Sequence, residues 1–270
     1  MSTRKATGRR RPTLSPADRT EQAGPPVRIA VIADIHGNAL ALEAVLADIA
    51  ARDVDVLCNL GDHFSGPLEP GRTFSILAGM DMVAIRGNHD RYLLEKPLER
   101  MEAGDALAHD EIGAAGRDWL ERLPRTARAG TVLFLCHGTP DSDKTHWLYE
   151  KDEAKRLHPV VPLAIAEEAE GVDLPLICCG HTHVQRQVML PDGRGVFNPG
   201  SVGRPAFAMR DPDSAARRSP AAQYGLLEAD GAGWAIALRQ VDYDHEGAAR
   251  IAEARGELQW AENLRRGWER

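Results

Sequence analysis

Cysteine is scarce in this 270-residue chain. The four thiols, Cys58, Cys136, Cys178 and Cys179, form no Cys-x-x-Cys pair. Such spacing argues against a thiolate zinc site or a disulfide framework. Each thiol lies in or at the end of an apolar run, so all four read as small buried hydrophobes in a reducing, cytoplasmic compartment. Long apolar stretches are also missing. None approaches the roughly 18 residues that span a bilayer, so no integral membrane role is expected. Aromatic residues make up 5% of the chain, too few for a platform that stacks single-stranded bases. Lysine occurs only 5 times against 28 arginines, a habit of composition rather than a site. Acidic side chains outnumber basic ones 40 to 33, a net charge of −7. That balance disfavours a polyanionic partner unless a local basic groove exists.

What charge of basic sign there is gathers at the start. Residues 1–26 hold six Arg or Lys against Asp18 and Glu21, a local charge of +4 that leaves −11 for the rest. The segment has no apolar stretch after Arg9-Arg10-Arg11, so it reads as a disordered basic leader rather than a complete export signal. From Val27 the texture changes. Val27–Ala33, Val54–Leu60, Met82–Ile85, Thr131–Cys136 and Leu176–Cys179 are apolar runs of strand length. The apolar positions Leu40, Leu42, Val45, Leu46 and Ile49 predict a helix after Asn38, and Asp105–Leu123 predicts another, closed by Pro124. Strands apolar on both faces, separated by helices, imply a sheet covered on both sides. Two hairpins follow: Gln187–Leu190 with Gly195–Phe197, and Gln223–Glu228 with Trp234–Val241. One domain is expected over residues 27–245, with a charged C-terminal helix over 246–270 packed on it or extending from it.

Each main strand ends in polar, metal-competent residues. The five clusters are Asp34-Ile35-His36-Gly37-Asn38, Gly61-Asp62-His63, Arg86-Gly87-Asn88-His89-Asp90, His137-Gly138 and Gly180-His181-Thr182-His183. Sites in α/β sheets lie at the carboxyl ends of strands, so five stretches deliver Asp, Asn and His to one edge. Carboxylate, amide and imidazole donors without thiolate suit borderline divalent ions. About seven donors exceed the needs of one tetrahedral ion, and two ions sharing a carboxylate use them economically. Any one cluster is a weak signal. Five in this order are not.

The ordered set DxHGN, GD, GNHD, H and GHTH resembles the calcineurin-like metallophosphoesterases over roughly Arg28 to Gly203. The later Asn198-Pro199-Gly200-Ser201-Val202-Gly203 resembles their bacterial small-phosphodiesterase branch. The resemblance implies a four-layered αββα sandwich with two mixed sheets. It also implies two divalent metal ions drawn from Mn, Fe, Zn, Ni and Co, with manganese favoured. Asp34, His36, Asp62 and His183 would hold the first. Asp62, Asn88, His137 and His181 would hold the second, with Asp62 bridging. His89 falls in the general-acid position, its pKa raised by Asp90 or Asp62, and a hydroxide between the metals would attack phosphorus.

The neighbouring residues keep two readings each. Asn38 is an N-cap or a substrate contact. Arg86 and Arg91 form surface ion pairs or meet phosphate, and Ser201 and Asn198 belong to a tight turn or to the site. His63 reads as structural. The stretch from Thr139 to Pro175 serves equally as a lid or as an ordinary connection. Serine/threonine phosphatases of the superfamily carry an Asp-Arg-Gly after the second motif, where this chain has Phe64-Ser65-Gly66-Pro67. The missing arginine shifts the expectation towards phosphodiesters of small molecules or nucleotides. The rivals are a phosphomonoesterase or protein phosphatase, and a non-catalytic metal-binding interaction module. The latter loses support because His89, absent from the retromer scaffold of the superfamily, is retained. The oligomeric state stays open.

Overall fold

The structure is a computed structural model that describes residues 27–153, 157–205, 219–229 and 233–268. The basic leader expected over residues 1–26 lies outside them. The first half of the chain runs β1 (Arg28–Ile32), α1 (Ala39–Ala50), β2 (Val56–Asn59), α2 (Pro70–Leu77), β3 (Val83–Ala84), α3 (Asn88–Glu95), α4 (Ala103–Glu121), β4 (Ala127–Ala129) and β5 (Leu133–Leu135). It continues with β6 (Tyr149–Lys151), β7 (Leu157–Pro159), α5 (Pro162–Glu168), β8 (Leu176–Cys178), β9 (Arg186–Met189), β10 (Gly195–Asn198), β11 (Ala222–Ala229), β12 (Trp234–Val241), α6 (His245–Ala254) and α7 (Leu258–Arg266).

Two five-stranded sheets form, ordered β12–β11–β1–β2–β3 and β4–β5–β8–β10–β9. Both are mixed. β1, β2 and β3 run parallel, β11 pairs antiparallel with β1, and β12 pairs antiparallel with β11. In the other sheet β5, β8 and β10 are parallel, with antiparallel β4 and β9 at the edges. The four-layered sandwich follows from the two-residue period of β1. Ile29 and Val31 point between the sheets, where they meet Cys58, Leu133, Cys178 and Phe197. Ala30 and Ile32 point the other way, onto Leu42, Val45 and Ile49 of α1 and Ile112 and Leu120 of α4. The outer face of the second sheet is covered by Trp147, Leu148, Tyr149 and Ile165. All four cysteines are free and buried.

The structure departs from the sequence reading at two places. α4 is broken at Gly113, whose φ of 60° no helix allows. The C-terminal stretch is two helices rather than one, because the chain reverses at Gly256 with φ 82°. Their small residues Ala248, Ala249, Ala252 and Ala261 pack with Leu264 on Leu68. The stretch after Thr139 contributes buried Trp147, Leu148 and Tyr149 to the outer layer. Arg186 fixes it further by donating to the Leu148 carbonyl and, at 2.8 Å, to the Val160 carbonyl.

Candidate metal centre

The loops that follow β1 and β2 are laced together. The N–H groups of Asp34, His36 and Gly37 donate to the carbonyls of Gly61, Asp62 and His63, each at 3.0 Å. Gly61 adopts φ 98°, and a Cβ there would strike the Gly87 backbone, so this position requires glycine. Six non-glycine residues have positive φ among the described residues, and five of them are Asp34, His36, Asp62, His181 and His183. Left-handed backbone is disfavoured for such residues and tends to concentrate at functional sites. Here it turns each side chain back over the sheet edge.

Two groups of possible ligands result: Asp34, His36 and His183, and Asp62, His137 and His181. Five of these six are buried. His36 Nε2 lies 3.3 Å from His183 Nε2, and His183 Nε2 lies 3.4 Å from Asp34 Oδ1. The groups adjoin. Asp62 Oδ2 stands 3.3 Å from His137 Nε2 and 3.8 Å from His36 Nε2, between one group and the other. Asn88 Oδ1 lies 3.1 Å from His137 Nε2 and 2.9 Å from His181 Nδ1. In that orientation the amide oxygen converges with two ring nitrogens, as the ligands of one cation do. Turning the amide over would satisfy hydrogen bonds instead.

The tautomers suit ligation. His36 Nδ1 lies 2.8 Å from the Ser65 carbonyl and His137 Nδ1 lies 2.7 Å from the Leu60 carbonyl. A carbonyl cannot donate, so both Nδ1 atoms carry hydrogen and both Nε2 atoms face the centre. Burial, reinforced by the neighbouring His183, holds the His36 pKa well below the ordinary imidazole value. His36 therefore offers a lone pair. His137 behaves oppositely. Burial opposes its charge, but Asp62 outweighs burial and raises its pKa to about 10. A cation displaces such a proton on binding. Asp34 Oδ1 is buried with no hydrogen-bond donor among the described residues. An orphaned buried carboxylate oxygen is costly unless a cation meets it, so the donor set fits divalent metal.

The other residues singled out from the sequence fall around this centre. The His89 N–H donates to Asp62 Oδ1 at 2.9 Å. Its ring packs edge-on against His36, with centroids 5.3 Å apart. Burial disfavours its charged form, but Asp62 and Asp105 overcome that and raise its pKa. The expected role of Asp90 is corrected here. It turns away from His89 and accepts from the backbone of Asp62, His63 and Gly87 and from His63 Nδ1. Asp105 of α4 takes its place, 3.3 Å from His89 Nδ1, and no motif in the sequence marked it. Asn38 caps α1 by accepting from the Ala41 N–H, and its amide donates to the Gly203 carbonyl. Ser201 donates to the Asp34 carbonyl at 2.7 Å. Both are thus ties behind the ligand loops. Asn198 similarly ties the Gly180 carbonyl. Arg91 is engaged by Asp143 at 2.6 and 2.9 Å. Arg86 makes no ion pair among the described residues, and its N–H bonds the Pro124 carbonyl. His146, from the polar stretch after Thr139, packs at a tilt against His181 with centroids 4.9 Å apart.

A family model described as calcineurin-like phosphoesterase matches residues 27–185, the span that carries all seven candidate ligands. The chain belongs to the calcineurin-like phosphoesterase family. Membership with this donor set supports a metal-dependent phosphoester hydrolase. The uncharacterised protein MJ0912 of Methanocaldococcus jannaschii is 27% identical over 199 residues, covering 66% of this chain and 76% of that protein. A metallophosphoesterase from Sphaerobacter thermophilus superposes with a TM-score of 0.69 at 24% identity, covering 89% of this chain and all of the other. The hypothetical protein PH1004 of Pyrococcus horikoshii OT3 gives a TM-score of 0.73 at 18% identity, over 90% of this chain and 100% of its own. These two structures bear on the fold.

Proposed function

We propose that this chain is a two-metal phosphodiesterase that hydrolyses small phosphorylated molecules or nucleotides, with manganese as the favoured ion. The observation that carries the reading is Asp62 Oδ2 set between His36 and His137, with His89 beside it. Asp34, His36, Asp62 and His183 would hold one ion. Asp62, Asn88, His137 and His181 would hold the other. When bound, such cations supply Lewis acidity towards a phosphoryl oxygen and towards water.

The chain's own residues do the rest. His89, kept protonated by Asp62 and Asp105, stands where it can give a proton to a departing alkoxide. The Asp62 carboxylate receives the His89 N–H and so fixes the donor relative to the ligands. Helix α3 begins at Asn88, which turns its positive end towards the site, where phosphate charge would lie. The diester preference rests on Phe64-Ser65-Gly66-Pro67. Phe64 is buried in the core and the Ser65 carbonyl orients His36, so no cation reaches out from this turn. A diester carries about one negative charge at neutral pH against nearly two for a monoester. Four buried free thiols suit a reducing cytoplasm, and no helix among the described residues is long and apolar enough to cross a membrane.

Purified protein with Mn²⁺ should hydrolyse bis(p-nitrophenyl) phosphate faster than the corresponding monoester, and chelator should abolish the rate. The Asp62→Asn variant should be inactive. Metal uptake without turnover of either ester would move the assignment to an interaction module.

A further inference from the structure

The turn after the second motif lacks an arginine, yet a guanidinium stands near the centre from elsewhere in the fold. Loop 201–204 is fastened to the end of β1. The N–H groups of Val202 and Gly203 donate to the carbonyls of Ala33 and Asp34 at 3.0 and 3.1 Å. Ser201 Oγ donates to the Asp34 carbonyl and accepts from the Arg204 N–H at 2.9 Å. Arg204 therefore leaves a rigid base one step from a candidate ligand. Its guanidinium lies over the Trp260 ring, 4.7 Å from the centroid. The same ring stands edge-on to His36, with centroids 6.3 Å apart. Trp260 belongs to α7, and it reaches His36 because residue 66 is glycine. A Cβ at Gly66 would overlap the His36 carbonyl and press on the indole. The charge of Arg204 disfavours the protonated forms of both His36 and His89. A cleft lined by His183, Ser201, Arg204 and Tyr243 opens at this position.

We propose that Arg204 binds a non-bridging oxygen of the substrate phosphate, and that Trp260 is a positioning residue which seats the guanidinium beside the centre. The C-terminal helix pair thereby completes the substrate site rather than merely capping the domain. A guanidinium seated on an aromatic face is held as a plane, and two parallel donors of such a plane match a phosphate. Lysine at this position has the charge but neither the plane nor the fork. One such cation beside the metals suits a monoanionic diester. The proposal rests on the phosphoesterase reading but is separable from it.

The test uses the full chain loaded with Mn²⁺. Calorimetry reads inorganic phosphate affinity, steady-state kinetics reads bis(p-nitrophenyl) phosphate hydrolysis, and metal content is measured on each sample. Arg204→Ala should weaken phosphate binding by about 10- to 100-fold and raise KM more than it lowers kcat, with metal content unchanged. Arg204→Lys should recover only part of the loss. Trp260→Ala should weaken phosphate binding when Arg204 is present and add nothing in the Arg204→Ala background, whereas Trp260→Phe should restore it. A Trp260→Ala effect of equal size in both backgrounds overturns the positioning role. Phosphate binding by Arg204→Ala as tight as wild type, or no phosphate binding by wild type, overturns the proposal. No turnover by wild type together with lost phosphate affinity in Arg204→Ala rejects the phosphodiesterase reading and leaves the arginine site standing.

Discussion

The carboxylate of Asp90 accepts a 2.8 Å hydrogen bond from the backbone N–H of Asp62. It takes further bonds from the N–H groups of His63 and Gly87 at 2.9 Å each and from His63 Nδ1 at 2.8 Å. One buried side chain thus fastens the second motif to the third and caps α3 from its third residue. Asp90→Asn replaces an acceptor that faces donors by an amide that must turn an N–H₂ towards them. Leaving one buried donor unmet costs about 2–3 kcal/mol. The variant should melt at lower temperature and hold less metal, because Asp62 loses its backbone anchor. Thermal denaturation and metal analysis check this. Unaltered melting with full metal content would contradict it.

His89 is raised in pKa although it is largely buried, because Asp62 and Asp105 outweigh desolvation. A proton donor works below its pKa, so turnover should fall on the alkaline side as His89 loses its proton. Asp105→Asn removes one of the two carboxylates and should move that alkaline limb to lower pH. His89→Ala should lower kcat by about 10²- to 10⁴-fold with metal content intact. A pH–rate profile of the two variants decides the matter. An alkaline limb that stays in place in Asp105→Asn would remove the pairing from the mechanism.

Much of this centre was legible before any coordinates. Asp34, Asp62, Asn88, His137 and His181 each follow a strand-like apolar run, and parallel strands bring their carboxyl ends to one edge. The adjoining partners were hidden for a physical reason. Asp105 meets His89 across 16 positions of sequence, and α4 carries no motif to announce it. Asp90 looked like the partner of His89 because it is next along the chain, but a helical third position points back to the backbone of the preceding turn. The left-handed φ of His36 and Asp62 leaves no trace in residue type, since neither is glycine. The break at Gly256 did have a signal, a glycine after a helical run. The charged, helix-like texture of residues 246–270 nonetheless reads as one helix.

Removal of metal should destabilise the fold as well as stop the chemistry. Asp34 Oδ1 is buried without a hydrogen-bond donor among the described residues, and Asp62 Oδ2 sits among imidazoles. A ligand that binds only the folded chain stabilises it by about 2.7 kcal/mol at 100 times its Kd. Mn²⁺ should therefore raise Tm by several degrees, and EDTA should reverse the gain. In Asp62→Asn the Mn²⁺-dependent rise should shrink, since a neutral amide replaces the carboxylate. Calorimetric scans with and without metal provide the measurement. A melting temperature indifferent to Mn²⁺ in wild type would speak against the centre.

The acid stability of the fold should depend on a site remote from the metals. Asp48 of α1 accepts from Arg52 Nε and Nη2 at 2.9 and 2.8 Å and from the Tyr224 hydroxyl at 2.6 Å. The Arg52 hydrogen bonds, opposed by burial and helped by Tyr224, lower its pKa from 3.8 to about 2. A carboxylate whose pKa is depressed by folding stabilises the native state above its unfolded value. That contribution is lost as pH falls through the folded value. Solvent screening of this partly exposed cluster limits the term to about 1 kcal/mol. Asp48→Asn should therefore be less stable than wild type at pH 6. The gap should narrow between about pH 4 and pH 2, because wild type alone loses the ionised contact there. Urea denaturation of both chains across that range measures it. A gap that stays constant with pH would show that the carboxylate charge contributes nothing and that shape alone matters at this position.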